Sequence, residues 1–200
     1  MPVTIGAPPA PDFSKPIELL SDCHRRIERF LGALLQVTEQ ARGGEMTEIQ
    51  QRDWQAALAY FRNAAPRHTA DEEESLFPRL RARGAPEVAK ALADLERLER
   101  DHERASYLHE LVDMLGRRWV EQKRLDASEI HQLLDALEQL RELYRGHIAL
   151  EDESLFPIAA ALLSEQEKAE MGMEMARRRG VDAKQAIRLG RELGDGNPAS

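Results

Sequence analysis

Apolar residues recur at steps of three and four along four long stretches of the chain, a spacing that places their side chains on one face of an α-helix. The first stretch starts near Pro16, the second after Thr47, the third at Pro86 and the fourth after Asp126. Proline suits the first turn of a helix, and Thr47 and Asp126 are each followed three residues later by Gln or Glu, as in a capping box. The pattern predicts four long helices, here named A to D in chain order, with a kink in helix B at Pro66.

The connections between the predicted helices are short, so neighbouring helices must alternate in direction. An antiparallel up-down four-helix bundle is therefore the predicted topology. The composition agrees with this topology, because aromatic residues make up only 5% of the chain and strong helix formers such as Ala, Leu, Glu and Arg are abundant. The fold class is predicted to be all-α.

The chain is predicted to consist of three parts: a flexible Pro-rich arm at 1–15, the four-helix bundle at 16–163, and a C-terminal helical extension with a disordered tail at 164–200. Ser164 with Glu167, and Asp182 with Gln185, have the spacing of helix-capping residues. They predict two short additional helices in the extension. These helices offer a surface on which a protein partner could bind.

The charge and the apolar content of the chain exclude several classes of partner. The formal net charge is -8, whereas binding to nucleic acid or to an anionic membrane surface needs a basic face. No apolar run of the sequence approaches the roughly 20 residues of a membrane span, and the N-terminal stretch lacks the features of a signal peptide. The lone Cys23 cannot form an intrachain disulfide, which fits a reducing compartment. We therefore expect a cytoplasmic protein that binds neither nucleic acid nor membranes.

Each predicted helix carries one histidine among its apolar positions. In chain order these residues are His24, His68, His102 and His147. In helices B and D a glutamate follows four residues after the histidine, within an internal repeat that reads HTADEEESLFP at 68–78 and HIALEDESLFP at 147–157. In an up-down bundle all four histidines lie about 24 to 32 Å from the same end. They are therefore expected to meet at one depth.

Burying four imidazoles and two carboxylates in a Leu-rich core is costly unless a partner compensates them. A single core histidine is more often a hydrogen-bonded structural residue, but four histidines at one depth on four helices favour metal coordination. The predicted ligands are His24, His68, Glu72, His102, His147 and Glu151. Two carboxylates that can bridge suit a pair of ions about 3.5 to 4 Å apart. Nitrogen and oxygen donors suit iron, manganese or zinc, and the lack of a thiolate ligand excludes iron–sulfur chemistry.

At these residues the sequence resembles the hemerythrin family, specifically the hemerythrin-like HHE cation-binding domain. The resemblance covers residues 16–163 and rests on His24 in SDCHRRIERF, His102 in LERDHERA and the two repeated segments. It implies a four-helix bundle that holds two iron ions in a non-haem di-iron centre with an oxo or hydroxo bridge. It implies further that Glu72 and Glu151 bridge the two irons.

The resemblance also assigns His24 and His68 to one ion, and His102 and His147 to the other. Members of the family that carry oxygen place a further histidine one turn after the helix C ligand, where this chain has Ser106. The second ion is therefore expected to lack one protein ligand. The open coordination position on this ion could then bind water, hydroxide, dioxygen, a peroxide or nitric oxide.

Several residues near the predicted ligands have more than one possible role. Glu73, Glu99 and Glu103 flank the site and could be alternative ligands, contacts of the ligands or solvated charges. Tyr144 could form a hydrogen bond to a bound ligand or simply fill space. His109 is expected to face solvent or to form a hydrogen bond.

The leading functional hypothesis is a reaction of the diferrous centre with a small oxidant, namely dioxygen, a peroxide or nitric oxide. An iron that lacks one ligand should oxidise readily, which ranks peroxide turnover or redox sensing above reversible oxygen carriage. Iron storage is a further alternative. A hypothesis of another class is an iron- or oxygen-responsive binding module that reports through residues 164–193, and a metal-free structural bundle is the third. Ferritin-type di-iron proteins match less well, because they use paired E-x-x-H motifs.

Overall fold

The structure, a computed structural model, describes residues 12–83 and 86–182 and contains only helices and their connections in these ranges. The α-helices are α1 (Pro16–Ala41), α2 (Glu48–Asn63), α3 (Ala65–Asp71), α4 (Phe77–Arg81), α5 (Pro86–Gln122), α6 (Ala127–Leu150), α7 (Phe156–Leu162) and α8 (Glu165–Arg178). Two π-helical segments, Glu72–Leu76 and Glu151–Leu155, join α3 to α4 and α6 to α7. The predicted all-α class is confirmed.

Several helices begin where the sequence predicts them. Thr47, Asp126 and Ser164 each accept a hydrogen bond from the amide three residues later, and the side chain of that later residue accepts one from the amide of the cap. These reciprocal bonds satisfy amides that otherwise lack a partner, and each stabilises its helix by about 0.5 to 2 kcal/mol. Helices α1 and α5 begin at Pro16 and Pro86, as predicted.

Predicted helix B is interrupted in the structure and consists of α2, α3, the first π-helical segment and α4. The break between α2 and α3 lies at Ala64, two residues before Pro66. Proline has no amide hydrogen and cannot continue the hydrogen-bond ladder of a helix. The interruption thus occurs where the sequence predicts a kink, and it separates the apolar half of the helix from the half that carries His68.

The long helices form a helical bundle with a shared interior. Helix α1 contacts α2 and α6, and helix α5 contacts the same two helices. Buried apolar side chains form two clusters in this interior, one around Trp54 and Trp119 and the other around Phe77 and Phe156. In α1, His24 lies between residues of the two clusters. The interior therefore contains a polar layer between two apolar regions.

Within the described part of the chain, no helix is long and apolar enough to cross a membrane. Some predicted features lie outside the described residues: most of the arm at 1–15, the short helix expected after Asp182, and the C-terminal tail. The domain boundaries at 16–163 and 164–200 stay predictions.

Helix α8 docks on α1 and α3 through buried side chains. Met171, Met175 and Ala176 have no exposed surface. At Gly172 the N-terminal segment comes so close that an added Cβ atom would lie 2.0 Å from the carbonyl oxygen of Phe13. Only glycine leaves room for this approach, so the docking of α8 depends on the residue at position 172.

We expect Gly172→Ala to destabilise the fold by about 1 to 3 kcal/mol, because the added methyl group must displace the backbone at Phe13. Urea unfolding followed by circular dichroism measures the change in the free energy of unfolding. Gly32→Ala is the matched control, since nothing lies within 4 Å of a Cβ atom at Gly32 in α1 and alanine favours a helix interior by about 0.5 to 1 kcal/mol. Equal stability of the two variants would contradict the close approach.

Candidate metal centre

The six residues predicted as metal ligands meet in the polar layer of the bundle. They form two sets in which the nitrogen and oxygen atoms lie within 4.8 Å of one another: His24, His68, Glu72 and Glu151, and Glu72, His102, His147 and Glu151. Both glutamates belong to both sets. The structure thus brings the six side chains to one depth, as expected, while metal binding by them stays a prediction.

Each carboxylate lies between one histidine of each pair. The Nε2-to-oxygen distances are 3.2 Å in His68–Glu72, 3.3 Å in His102–Glu72, 3.0 Å in His24–Glu151 and 3.2 Å in His147–Glu151. Glu72 turns Oε1 toward His68 and Oε2 toward His102, whereas Glu151 turns Oε2 toward both of its histidines. Each carboxylate therefore contacts histidines from two different helices.

The polar atoms of this cluster are buried and lack ordinary partners. Glu72 and Glu151 have no exposed surface, and none of their carboxylate oxygens forms a hydrogen bond of good geometry among the described residues. The same holds for His24 Nε2. A buried carboxylate without a partner loses its hydration without compensation. The histidine nitrogens and carboxylate oxygens converge at 3.0 to 3.3 Å, but within the described ranges the carboxylate oxygens form no hydrogen bond of good geometry. The donor set therefore fits a metal ion.

The protonation of the metal-free cluster follows from these contacts. Burial alone would lower the pKa of His24 and of His102, but the carboxylates of Glu151 and Glu72 beside them raise it to about 10 and about 9. Burial lowers the pKa of His68 to about 4. Burial alone would raise the pKa of Glu72, but the neighbouring histidines hold it below its usual range. Without metal, His24 and His102 are therefore protonated near neutral pH beside the ionised carboxylates of Glu72 and Glu151.

Each predicted glutamate ligand begins a π-helical segment. The amide of Phe77 donates to the carbonyl of Glu72, and the amide of Phe156 donates to the carbonyl of Glu151, five residues back in each case. The next residue is a proline, which has no amide hydrogen for the α-helical ladder. The sequence pattern did not predict these turns, although the shared proline is a signal for them. Such turns are frequent at functional sites, and here they occupy the same position in both repeats.

The residue after each predicted glutamate ligand contacts a histidine of another helix. Asp152 Oδ1 lies 3.1 Å from His24 Nδ1 and also accepts a hydrogen bond of 2.7 Å from Ser21 Oγ. Glu73 Oε1 lies 2.8 Å from His102 Nδ1. A carboxylate at Nδ1 holds a proton there and leaves the Nε2 lone pair for the centre. The repeat therefore places a predicted ligand and an orienting residue side by side.

Three other acidic residues near the site do not belong to the cluster. Glu99, an alternative ligand in the sequence-based prediction, forms an ion pair of 2.7 Å with Arg81. Glu103 is exposed, and neither glutamate belongs to the cluster. His147 Nδ1 lies 3.6 Å from Asp101 Oδ2, which is too long for a hydrogen bond. The contact of Asp101 with His147 is therefore weaker than those of Asp152 and Glu73 with their histidines.

A cavity of about 190 Å³ adjoins the four histidines of the cluster. Its wall includes the exposed Ser106. A neighbouring pocket of about 260 Å³ shares Phe61, Pro66, Ser106 and His109 with the cavity and includes the exposed Glu110. The shared residues mark a path from the surface of the bundle to the cluster.

The buried Tyr144 and the half-buried His109 form a polar pair that lines the same cavity. His109 Nε2 and Tyr144 Oη lie 2.8 Å apart. Burial lowers the pKa of His109 to about 4 and raises the pKa of Tyr144, so both side chains are neutral near pH 7. Of the two roles expected for His109, the structure shows the hydrogen bond.

Comparisons with known proteins cover most of the chain. Residues 15–159 match the hemerythrin HHE cation-binding domain family. A relative from Haemophilus influenzae, described as an uncharacterized protein, is 35% identical over 171 residues, which is 84% of this chain and 92% of the relative. The range that matches the family contains all six residues of the cluster.

Proposed function

Because this chain belongs to the hemerythrin family of HHE cation-binding domains, we propose that its cluster holds two iron ions and reacts with or senses a small oxidant. Dioxygen, a peroxide and nitric oxide are the candidate oxidants. The proposed ligands are His24, His68, Glu72, His102, His147 and Glu151. The proposed scaffold is the antiparallel up-down four-helix bundle that the short connections predict.

The observation that carries this proposal is the sharing of Glu72 and Glu151 between two histidine pairs. A site for a single ion needs only one such set, whereas two sets with common carboxylates match a dinuclear site. When bound, an iron pair supplies electrons for an oxidant and an open position for a small ligand. The family resemblance favours iron over the other metals that accept nitrogen and oxygen donors.

The side chains of the protein supply binding, orientation and access. The carboxylates of Asp152 and Glu73 hold the Nδ1 protons of His24 and His102, so that these imidazoles offer Nε2 to the metal. The small, exposed Ser106 leaves the path along the cavity open. The protein thus fixes the ligand atoms and leaves the cavity beside the four histidines for small molecules.

Metal analysis combined with absorption spectroscopy tests the proposed function. We expect two irons per chain and the near-ultraviolet bands of an oxo- or hydroxo-bridged di-iron centre, which change when peroxide is added. Steady loss of excess peroxide would identify an enzyme, whereas a single stoichiometric change would favour a sensor. Two equivalents of manganese or zinc would keep the dinuclear site and reject iron. Less than one metal ion per chain would overturn the proposal.

A second candidate function is an iron- or oxygen-responsive binding module, which the contacts of α8 favour. Asp71 directly precedes Glu72 and has no exposed surface. Arg178 Nη1 donates to Asp71 Oδ1 at 2.9 Å, and Arg179 Nη2 donates to Asp71 Oδ2 at 2.6 Å. Arg178 Nη2 also donates to Ser75 Oγ at 2.9 Å. A metal ion at Glu72 and a protein partner at α8 would therefore both act on the stretch of chain at 71–75.

We expect removal of iron to expose α8 to trypsin, because the π-helical segment that holds α8 loses its metal. Cleavage at residues 177–179 should become about tenfold faster, in line with a modest loss of local stability. Digestion of iron-loaded and chelated protein, followed by mass spectrometry, measures this rate. Gly172→Ala with iron bound is the positive control, since it weakens the docking of α8 directly. Identical digestion with and without iron would reject the binding module and leave the first proposal standing.

A further inference from the structure

One part of the cavity wall is formed by Tyr144 of α6 and His109 of α5. Tyr144 is only 8% exposed, and its ring meets that of His147 edge-on with the centroids 6.4 Å apart. The ring of His109 stacks on Phe61 with the centroids 4.3 Å apart. Both polar side chains are thus held beside the predicted metal ligands and beside the path from the surface.

The hydrogen bond between these two side chains has a preferred direction. A neutral imidazole carries one proton, on either Nδ1 or Nε2. His109 Nδ1 is buried and has no hydrogen-bond partner in the described ranges, and buried N–H groups without an acceptor are rare because they are costly. The proton is therefore assigned to Nε2, from which it is donated to Tyr144 Oη.

This direction leaves Tyr144 with its own hydrogen to donate. The oxygen of the phenol already accepts from His109, and His109 is its hydrogen-bond partner among the residues that the structure describes. Tyr144 lines the cavity, so a molecule in the cavity can accept this hydrogen. A tyrosine hydroxyl keeps its hydrogen at neutral pH.

We propose that Tyr144, oriented by His109, is a specificity-determining hydrogen-bond donor of the cavity, which selects small ligands with a terminal oxygen or nitrogen atom. This inference rests on the proposed function, since the occupied metal cluster forms one side of the site. The cavity volume of about 190 Å³ is about tenfold larger than the space that one water molecule needs. A ligand of several non-hydrogen atoms therefore fits.

The wall of the cavity offers few polar groups besides the histidines of the cluster. Apolar residues such as Ile27, Phe61 and Ala105 form much of the remaining wall. Tyr144 carries the buried hydroxyl group of this wall, whereas Thr69 is half-buried and Ser106 is exposed. Tyr144 is therefore the donor that distinguishes ligands with an exposed acceptor atom from those without one.

Azide binding to the iron-loaded protein tests this inference, because azide is a small anion with terminal acceptor atoms. We expect Tyr144→Phe to raise the azide Kd about tenfold, as the loss of a hydrogen bond to a charged group does. Tyr60→Phe is the matched control. Tyr60 donates to the carbonyl of Cys23 at 3.3 Å and is not among the residues that line the cavity, so this variant should bind azide like the wild type.

Vibrational spectroscopy separates hydrogen-bond donation from a merely structural role. The phenol hydrogen exchanges with solvent, so we expect the antisymmetric stretch of bound azide to shift between H₂O and D₂O. Tyr144→Phe should lose this shift. A glutamine at position 109 can still donate an amide hydrogen to Tyr144, whereas a leucine cannot. His109→Gln should therefore keep azide binding near the wild-type level, and His109→Leu should weaken it.

Three outcomes would overturn the inference. Wild-type azide affinity and an unchanged isotope shift in Tyr144→Phe, with iron content and circular dichroism preserved, would do so and leave the proposed function intact. An equal loss of affinity in Tyr60→Phe would show that the effect is not specific to the cavity. Iron-loaded wild-type protein that binds no azide would count against both, because no open metal position would then face the cavity.

Discussion

Replacing Glu151 with glutamine is expected to lower the affinity for iron more than about 100-fold and to leave at most one iron per chain. The substitution keeps the shape of the side chain but removes a charge that both histidine pairs share. Substitution of a residue that only contacts a metal ligand already lowers the affinity about 10- to 100-fold, so a shared ligand should have a larger effect. Iron analysis after dialysis and competition with a chelator of known affinity measure the change.

Glu153→Gln is the matched control for this experiment. Glu153 lies in the same π-helical segment as Glu151 but is exposed. The control variant should hold two irons with wild-type affinity. If Glu151→Gln also retained two irons with unchanged affinity, Glu151 would have to be removed from the proposed ligand set.

The affinity for iron should rise about 100-fold for each pH unit between about pH 7 and 8, and less steeply from there to about pH 10. In the metal-free protein His24 and His102 have pKa values of about 10 and about 9, so both imidazoles carry a competing proton below about pH 8. Metal binding at Nε2 must release these two protons, and each released proton contributes about tenfold per pH unit. His68, whose pKa is about 4, releases none in this range.

Anaerobic competition with a chelator at several pH values, corrected for protonation of the chelator, measures this slope. Calorimetry in buffers of different ionisation enthalpy counts the released protons independently at a single pH. Above about pH 10 the slope should flatten, because both imidazoles are then neutral before metal binds. An affinity that does not change with pH would contradict the proposed ligation by these two histidines.

The sequence predicts those features of this protein that depend on local rules. Capping pairs such as Thr47 with Gln50 fix helix starts, because they act within four residues of the chain. The four-residue step from His68 to Glu72 places both side chains on one helix face whatever surrounds them. Helix lengths then predict the common depth of the histidines. The six residues of the cluster follow from these rules together.

Features that depend on how two helices face each other could not be predicted in the same way. The contact of Asp152 with His24 requires a particular rotation of one helix against another, which periodicity along a single helix does not fix. The same holds for the bond between His109 and Tyr144, which joins α5 to α6. The π-helical segments shift the side-chain register after Glu72, and a regular 3.6-residue period misses such shifts.

The ion pairs of Asp71 set a lower limit on the length of a self-sufficient fragment. The match to the family ends at residue 159, but the guanidinium groups that offset this buried carboxylate belong to Arg178 and Arg179. A protein shortened to the family boundary would lose both counter-charges of Asp71 together with the helix that packs on α3, and it would expose the surface of α1 and α3 on which α8 docks. The portion of the sequence that defines the family is therefore shorter than the portion that the fold needs.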